Sequence, residues 1–409
     1  MKVAVITLGC KVNECESRSI MTELRRLGAD AVEGFVPADA YVINTCSVTA
    51  EADRKSGQLT RKASRISPNA KVYVTGCASQ RDRARFAGAN VVYIGGTARK
   101  SEIAALVVSG MAETQCADLA LPTAFEEMPP PSHEKTRDYI KIQDGCNNFC
   151  SYCVIPYLRG RCRSRDPEAV IEEAERSQAK EIVLTGIDVS SYGKDNGGSL
   201  ASLVRALGRL DVRKRMSSFE CTVIGDDLLS ALADAGFNDH FHMSLQSGCN
   251  RTLSAMNRHY DTRTFMRAVE AIRKYFPNAG ITTDVIAGFP TETDEDFAET
   301  CAFAEEVGFS DMHVFPYSER EGTKAARMEQ IPMQLRRERA AELGRIAKRL
   351  KRAFCERQTG KTLSVLFEES KNGETCGYST NYVKVYSDTA EAGTVADVNV
   401  TKTYKQGVK

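Results

Sequence analysis

Cys146-Asn147-Asn148-Phe149-Cys150-Ser151-Tyr152-Cys153 places three thiols at C-x3-C-x2-C spacing in one short loop, close enough to ligate three corners of an iron–sulfur cube. Iron–sulfur clusters are usually held by four cysteines, so a trio leaves one iron without a protein ligand. An open metal position is where a substrate or cofactor binds, as at catalytic zinc. The competing reading is structural zinc, which wants a closed set of four ligands. His133, the other candidate, lies thirteen residues upstream in a proline-bearing stretch. The loop follows the apolar run 139–143 and Asp144-Gly145, so it emerges at the carboxyl end of a strand, where barrel enzymes place their chemistry.

Around this loop, residues 138–360 repeat a strand–helix unit about six times, with strands expected at 139–143, 181–186, 216–223, 240–247, 281–288 and 311–316. Asp166-Pro167 reads as an N-cap followed by a first-turn proline. Six units are too few for a closed eight-unit barrel, so a partial (β/α)6 barrel, open on one side, is expected. A helix over 333–358 closes it. Beyond 360, the short β runs 363–367 and 382–386, separated by Asn, Gly and Ser, suggest a small antiparallel β-barrel over 361–409.

Upstream, residues 1–118 alternate apolar strands (2–8, 41–44, 71–75, 91–94) with charged helical stretches (16–27, 50–66), the pattern of a doubly wound parallel sheet. Residues 119–137, with Pro122, Pro129, Pro130 and Pro131 and no period, read as a linker. Cys10, Cys46 and Cys77 each directly follow an apolar strand. Strand carboxyl ends share one edge of such a sheet, and ligands bind there. Buried structural thiols are the ordinary alternative for any one of them; three at equivalent strand ends point to a second three-thiolate site. Gly9 and Gly76 leave room for a tight turn and a bulky group. Cys15 and Cys162 lie near the two cluster loops and are taken, with Cys116 and the remaining cysteines, as structural.

The chain has 409 residues, 42% hydrophobic and 27% charged, with a net charge of +1. This suits a soluble α/β protein of two or three domains and argues against global steering to nucleic acid, leaving that task to local basic patches. No apolar run reaches a membrane span, and the N-terminus reads as a strand rather than a signal peptide. Fourteen cysteines without such a signal point to a reducing cytoplasm and metal chemistry.

The C-x3-C-x2-C loop is that of the radical S-adenosylmethionine enzymes, and the chain resembles their methylthiotransferase branch from end to end. The resemblance rests on both cysteine sets, Ile43-Asn44-Thr45-Cys46, Pro156-Tyr157-Leu158-Arg159-Gly160, Leu245-Gln246-Ser247-Gly248, Met256-Asn257-Arg258, Gly288-Phe289-Pro290-Thr291-Glu292 and Phe315-Pro316-Tyr317-Ser318. Gly9-Cys10-Lys11-Val12-Asn13 with Cys46-Ser47-Val48-Thr49 looks like the MtaB type, which converts N6-threonylcarbamoyladenosine beside the tRNA anticodon to its 2-methylthio derivative. The branch acting on N6-isopentenyladenosine reads Gly-Cys-Gln-Met-Asn there, and the one acting on a ribosomal protein reads Gly-Cys-Pro-Lys-Asn. A two-cluster electron carrier with an RNA-binding tail is an alternative of another class, but such carriers saturate their clusters with protein thiols.

The resemblance implies two 4Fe-4S clusters and S-adenosylmethionine as cofactors. Tyr152 is then expected beside the adenine, Gly186 against the methionine part, Glu220 at the ribose or amino group, and Gln246 on the same face. It also implies tRNA as partner, a low-potential electron donor such as flavodoxin or ferredoxin, a sulfur donor, and a TRAM-like RNA-binding module at the C-terminus. Arg159, Arg161, Arg163 and Arg165 alternate just after the cluster loop. In an extended segment alternate residues share a side, so all four are expected to face one strand of phosphate. A second basic patch is Arg345, Lys348, Arg349 and Arg352, at helical spacing.

Overall fold

The structure is a computed structural model and describes residues 1–88, 90–111, 120–131 and 136–409. Cys116, His133 and parts of the expected linker lie outside the described residues.

Five strands, β1 (Lys2–Thr7), β2 (Asp30–Glu33), β3 (Ala40–Thr45), β4 (Lys71–Gly76) and β5 (Val91–Ile94), form a parallel sheet in the order β2-β1-β3-β4-β5. Their side chains alternate between two cores. Val3, Val5 and Val42 face α1 (Lys11–Arg26); Ala4, Ile6, Ile43, Val72 and Val74 face α2 (Ala50–Ile66). Thr49 caps α2 by accepting the Ala52 N–H, with Glu51 and Asp53 in the first turn to match the helix dipole. Strand order reverses between β1 and β3, which is where a doubly wound sheet opens its ligand crevice. Cys10 and Cys46 follow those two strands. The expected strands are present. The short edge strand β2, acidic at both ends, has no apolar period to announce it, and α1 begins at Lys11 rather than at residue 16.

The second unit holds β6 (Arg137–Asp144), β7 (Arg163–Ser164), β8 (Glu181–Gly186), β9 (Arg213–Met216), β10 (His240–Gln246), β11 (Gly280–Ala287) and β12 (Asp311–Pro316). β6, β8 and β9 are parallel neighbours, as are β10, β11 and β12. Two single parallel bridges, Lys214 with Phe237 and Phe219 with Met243, join the two groups. The result is the expected open (β/α)6 arrangement, with β7 added antiparallel at one edge. One strand differs: the expected 216–223 is an irregular segment ending in a 3-10 turn at Cys221–Val223, and the strand precedes it. Arg213-Lys214-Arg215 looks unlike a buried strand, but Glu181 on β8 accepts from both arginines and makes their burial tolerable.

Helix Met333–Glu356 packs Leu343, Ile346 and Ala347 into the barrel core. The chain then forms β13 (Thr362–Lys371), β14 (Glu374–Ser379), β15 (Lys384–Ser387), β16 (Val395–Asn399), β17 (Thr403–Tyr404) and β18 (Gly407–Val408), antiparallel except between β15 and β18. This sheet covers the amino ends of the barrel strands: Tyr382 stacks on His240 at 4.3 Å, and Asn381 donates to the Asn278 carbonyl at 3.1 Å. Opposite, the carboxyl edges of both parallel sheets meet. The described part of the linker is packed there, Glu126 accepting from Ser101 and Glu127 from Arg165. Among the described residues no helix is long and apolar enough to cross a membrane.

Candidate functional site

The loop bearing Cys146, Cys150 and Cys153 leaves β6 through Gly145, whose φ of +71° and closeness to the backbone of Arg161 exclude a side chain: a Cβ there would lie 1.9 Å from the Arg161 carbonyl oxygen. Gln143 braces the turn by donating to the carbonyls of Asp144 and Gly145. Asn257 Nδ2 donates to the carbonyls of Asn148 and Phe149, and the Ser151 N–H donates to the Met256 carbonyl. Phe149 and Asn257 both adopt positive φ, strain that these bonds hold in place. N–H groups point at the sulfurs: Asn148 N to Cys146 and Ile155 N to Cys153, each at 3.4 Å, and Arg258 Nη1 to Cys150 at 3.1 Å. Such donors suit sulfurs that carry negative charge.

Beside the trio lies a cavity of about 170 Å³ walled by Tyr152, Asp188, Ser190, Glu220, Gln246 and Arg258. Glu220 accepts from Arg258 Nη2 at 2.6 Å and from Asn148 Nδ2 at 3.1 Å; Asp188 accepts from Asn148 at 3.2 Å. Three of the expected residues, Tyr152, Glu220 and Gln246, are thus brought together. Gly186 is not on the wall; the residues just after it are, and a side chain at Gly186 would strike Gln143 at 2.8 Å. Gln246 adopts a φ of +68°, rare for its type. Asn148, inside the cluster loop, and Asp188 and Ser190, just beyond the strand that ends at Gly186, join the wall without a motif of their own to announce them. Arg258, in Met256-Asn257-Arg258, joins it too.

The second trio converges as well. Burial pushes the Cys46 thiol up to about 11; the Val48 N–H opposes this, and nearby Cys77 and Cys10 add to it. Gly9 has a φ of +104°, and a Cβ there would lie 2.6 Å from Cys46 Sγ. At Gly76 (φ +108°) a Cβ would meet the Thr45 carbonyl oxygen at 2.4 Å. These two glycines are therefore fixed by the thiols' surroundings. Cys77 packs against Val154, Ile155 and Leu158, the residues just beyond Cys153, so the two trios are neighbours. Burial pushes Cys153 up to about 12, with Cys150 adding to it and Cys77 within electrostatic reach. A metal-bound thiol is deprotonated outright, so iron held by these sulfurs would offset this penalty. Among the described residues no three His, Cys, Asp or Glu side chains gather around a single metal ion. Structural zinc wants four ligands, whereas a cube spreads its thiolates over separate irons and can leave one iron without a protein ligand, so three thiols suit a cluster better on the chemistry of the donor set. Cys15 and Cys162 are engaged elsewhere, Cys15 donating to the Tyr139 carbonyl at 3.1 Å and Cys162 to that of Ser191 at 3.6 Å.

The arginine ladder is corrected. Residues Ile155–Arg159 are helical and Gly160 turns at positive φ, so no continuous extended segment aligns the four. Arg159 is wholly buried, Arg163 is buried with its Nη1 on the carbonyls of Arg159 and Arg161, and Arg165 is buried between Glu127 and Glu173. None of these three reaches solvent phosphate. Only Arg161 is exposed, lying over the Phe149 ring at 4.5 Å. In the second patch, Arg349 pairs with Glu305 and Arg352 with Glu356, while Lys348 and Arg352 line a larger cavity of about 650 Å³ between their helix and the 403–407 turn.

A parallel barrel with a three-thiol loop and a polar cavity at its carboxyl edge is the architecture of a radical S-adenosylmethionine protein, and the Radical SAM superfamily profile matches residues 140–304. "Uncharacterized protein family UPF0004" matches residues 2–95. The chain belongs to the MtaB-type methylthiotransferases. It is 37% identical over 406 residues to the threonylcarbamoyladenosine tRNA methylthiotransferase MtaB of Bacillus subtilis, covering 94% of this chain and 89% of that one. The MtaB of Chlamydia pneumoniae is 36% identical, covering 99% and 96%. The tRNA-2-methylthio-N(6)-dimethylallyladenosine synthase of B. subtilis is 33% identical, covering 91% and 77%. Among solved structures, the radical S-adenosylmethionine methyltransferase TsrM of Kitasatospora setae superposes with a TM-score of 0.57 at 14% identity, over 80% of this chain and 77% of that one, a likeness of fold. Membership implies S-adenosylmethionine and iron–sulfur chemistry.

Proposed function

We propose that this protein methylthiolates C2 of N6-threonylcarbamoyladenosine in tRNA, in the cytoplasm, with one 4Fe-4S cluster on Cys146, Cys150 and Cys153 and a second on Cys10, Cys46 and Cys77. The observation that supports the substrate is the graded similarity within one organism: 37% to the B. subtilis MtaB against 33% to its dimethylallyladenosine synthase.

When bound, the cofactors supply homolytic C–H activation and sulfur transfer, chemistry that side chains cannot perform on an unactivated adenine C–H. The chain's own part is to hold and exclude. Arg258 sits between the Cys150 sulfur and Glu220, so one guanidinium fixes both a ligand and the cavity's main carboxylate. Glu220, Asp188 and Ser190 present oxygens suited to the ammonium and hydroxyl groups of S-adenosylmethionine, and Tyr152 an aromatic wall for its adenine. Phe219, Val189 and Ile155 keep the remaining wall apolar. tRNA, a low-potential electron donor such as flavodoxin or ferredoxin, and a sulfur donor complete the reaction, with the C-terminal sheet as a TRAM-like RNA contact.

Nucleoside mass spectrometry of tRNA from cells lacking the protein tests the assignment. Loss of the methylthio group from the threonylcarbamoyl nucleoside alone is expected. Loss from the isopentenyl nucleoside instead assigns the other branch.

A further inference from the structure

Arg159 is wholly buried and spends every nitrogen on a named partner. Its Nε donates to Cys77 Sγ at 3.3 Å; Nη1 donates to Glu16 Oε1 and Asp144 Oδ1, both at 3.0 Å; Nη2 donates to Asn13 Oδ1 at 2.8 Å and Glu16 Oε2 at 3.3 Å. Asn13 is itself tied to the cluster loops, donating to the carbonyls of Leu8 and Thr45. The fork is thereby locked so that one N–H aims at one sulfur.

The surroundings are rich in positive charge. Lys100 is paired with Glu16 and donates to Asn44 Oδ1 at 3.1 Å; Lys141 lies 2.9 Å from Glu16 and 2.6 Å from Asp144. Two buried cations, Arg159 and Lys100, and the half-buried Lys141 thus face two carboxylates, and Arg163 adds a fourth cation 3.7 Å from Asp144. If the carboxylates only neutralised the cations, the numbers would match. Of these cations, Arg159 touches the Cys77 sulfur and Lys100 lies within electrostatic reach of it, in a water-poor interior where a charge acts strongly. A thiolate-held cluster is anionic and gains another negative charge on reduction. Hydrogen bonds to its sulfurs and local net charge are two of the controls on its potential.

We propose that Arg159 is a positioning residue that raises the reduction potential of the cluster held by Cys10, Cys46 and Cys77, through its N–H to the Cys77 sulfur and the excess positive charge around it. The inference rests on that trio holding a cluster, as put forward above. A lysine keeps the charge but cannot reproduce the fork, so the two contributions are separable.

The test uses the full chain with Cys146, Cys150 and Cys153 replaced by alanine, reconstituted anaerobically, so that only the second trio can hold iron. Midpoint potentials are read by EPR during titration with dithionite and mediators; one electron enters each cluster and no bond forms or breaks. Arg159→Gln is expected to shift the midpoint negative by at least a tenfold change in the reduced-to-oxidised ratio, 59 mV for one electron. Arg159→Lys is expected to shift it less, and Glu16→Gln, which removes a negative charge from the same network, to shift it positive. A purely structural role does not produce shifts of opposite sign. Should Arg159→Gln fail to hold iron, the lysine and Glu16 variants decide. Unmoved midpoints in iron-loaded variants overturn the inference alone, whereas an iron-free parent overturns the second cluster itself.

Discussion

Arg320, in the loop after the last barrel strand, donates Nη2 to the carbonyl oxygen of Ser47 at 2.8 Å, one residue beyond Cys46 in the other unit. The same nitrogen reaches Asp53 at 2.7 Å, and Asp53 also pairs with Arg81 at 2.5 Å, on the short helix Cys77–Arg81. One buried carboxylate therefore ties the loops of Cys46 and Cys77 to the barrel that carries the other trio. Breaking a buried pair by removing one partner costs about 3–5 kcal/mol. Arg320→Ala is expected to lower the thermal midpoint and to release iron preferentially from the second trio. An unchanged melt and full iron content would show that the clamp carries no weight.

The two trios predict an iron count. Reconstituted protein should hold about eight irons per chain, four per cube, and about half after either trio is replaced by alanine. Gly9→Ala should behave like loss of the second trio only, because the new methyl would lie 2.6 Å from Cys46 Sγ on a backbone with φ +104°. Iron and sulfide analysis reads this directly. Full loading of Gly9→Ala would remove Cys46 from the ligand set.

How much of this was legible beforehand depended on where the partners lie in the chain. The Cys146 trio is local, so its spacing alone puts the three thiols in one loop. The Cys10 trio is distant in sequence, but each member follows a strand of a parallel sheet, and topology brings strand ends together. The arginine ladder failed because Arg159 and Arg165 answer to Glu16, Asp144, Glu127 and Glu173, carboxylates brought in by other elements. A charged residue's burial is set by such partners, and no window around the residue contains them. Arg213 and Arg215 hid a strand for the same reason.

Arg161 remains the cation of that segment free to meet RNA, and Tyr157 beside it is 60% exposed, its ring 5.4 Å from Phe149 in an edge-on pair. Exposed aromatic faces take up unpaired bases, worth about 1–3 kcal/mol per stack. Tyr157→Ala should weaken tRNA binding equally at every salt concentration, and Arg161→Ala should reduce the salt slope by about one. Binding isotherms at several ionic strengths separate the two. Wild-type affinity and slope in both variants would place the RNA elsewhere.

Acid sensitivity should trace to Glu181. It is fully buried and accepts from Arg137 Nε at 2.5 Å, Arg215 Nη2 at 3.0 Å and Asn238 Nδ2 at 2.8 Å. Burial alone pushes the carboxyl up, but Arg215, then Arg137 and Arg213, outweigh it and hold it at about 2, below its ordinary 4.5. A value lowered by folding means the unfolded chain binds the proton more readily. The stabilisation is therefore complete above about pH 4.5 and is lost as pH falls towards 2. At about 1.4 kcal/mol per pH unit, this amounts to roughly 3 kcal/mol. Glu181→Gln cannot titrate and leaves three arginines facing a neutral amide, so it should be less stable at pH 7 by about 3–5 kcal/mol. In urea melts the gap between the two proteins should narrow below pH 4.5, because the native carboxylate loses its advantage while the amide has none to lose. A gap that stays constant from pH 7 to pH 3 would mean that the three arginines are satisfied without the charge.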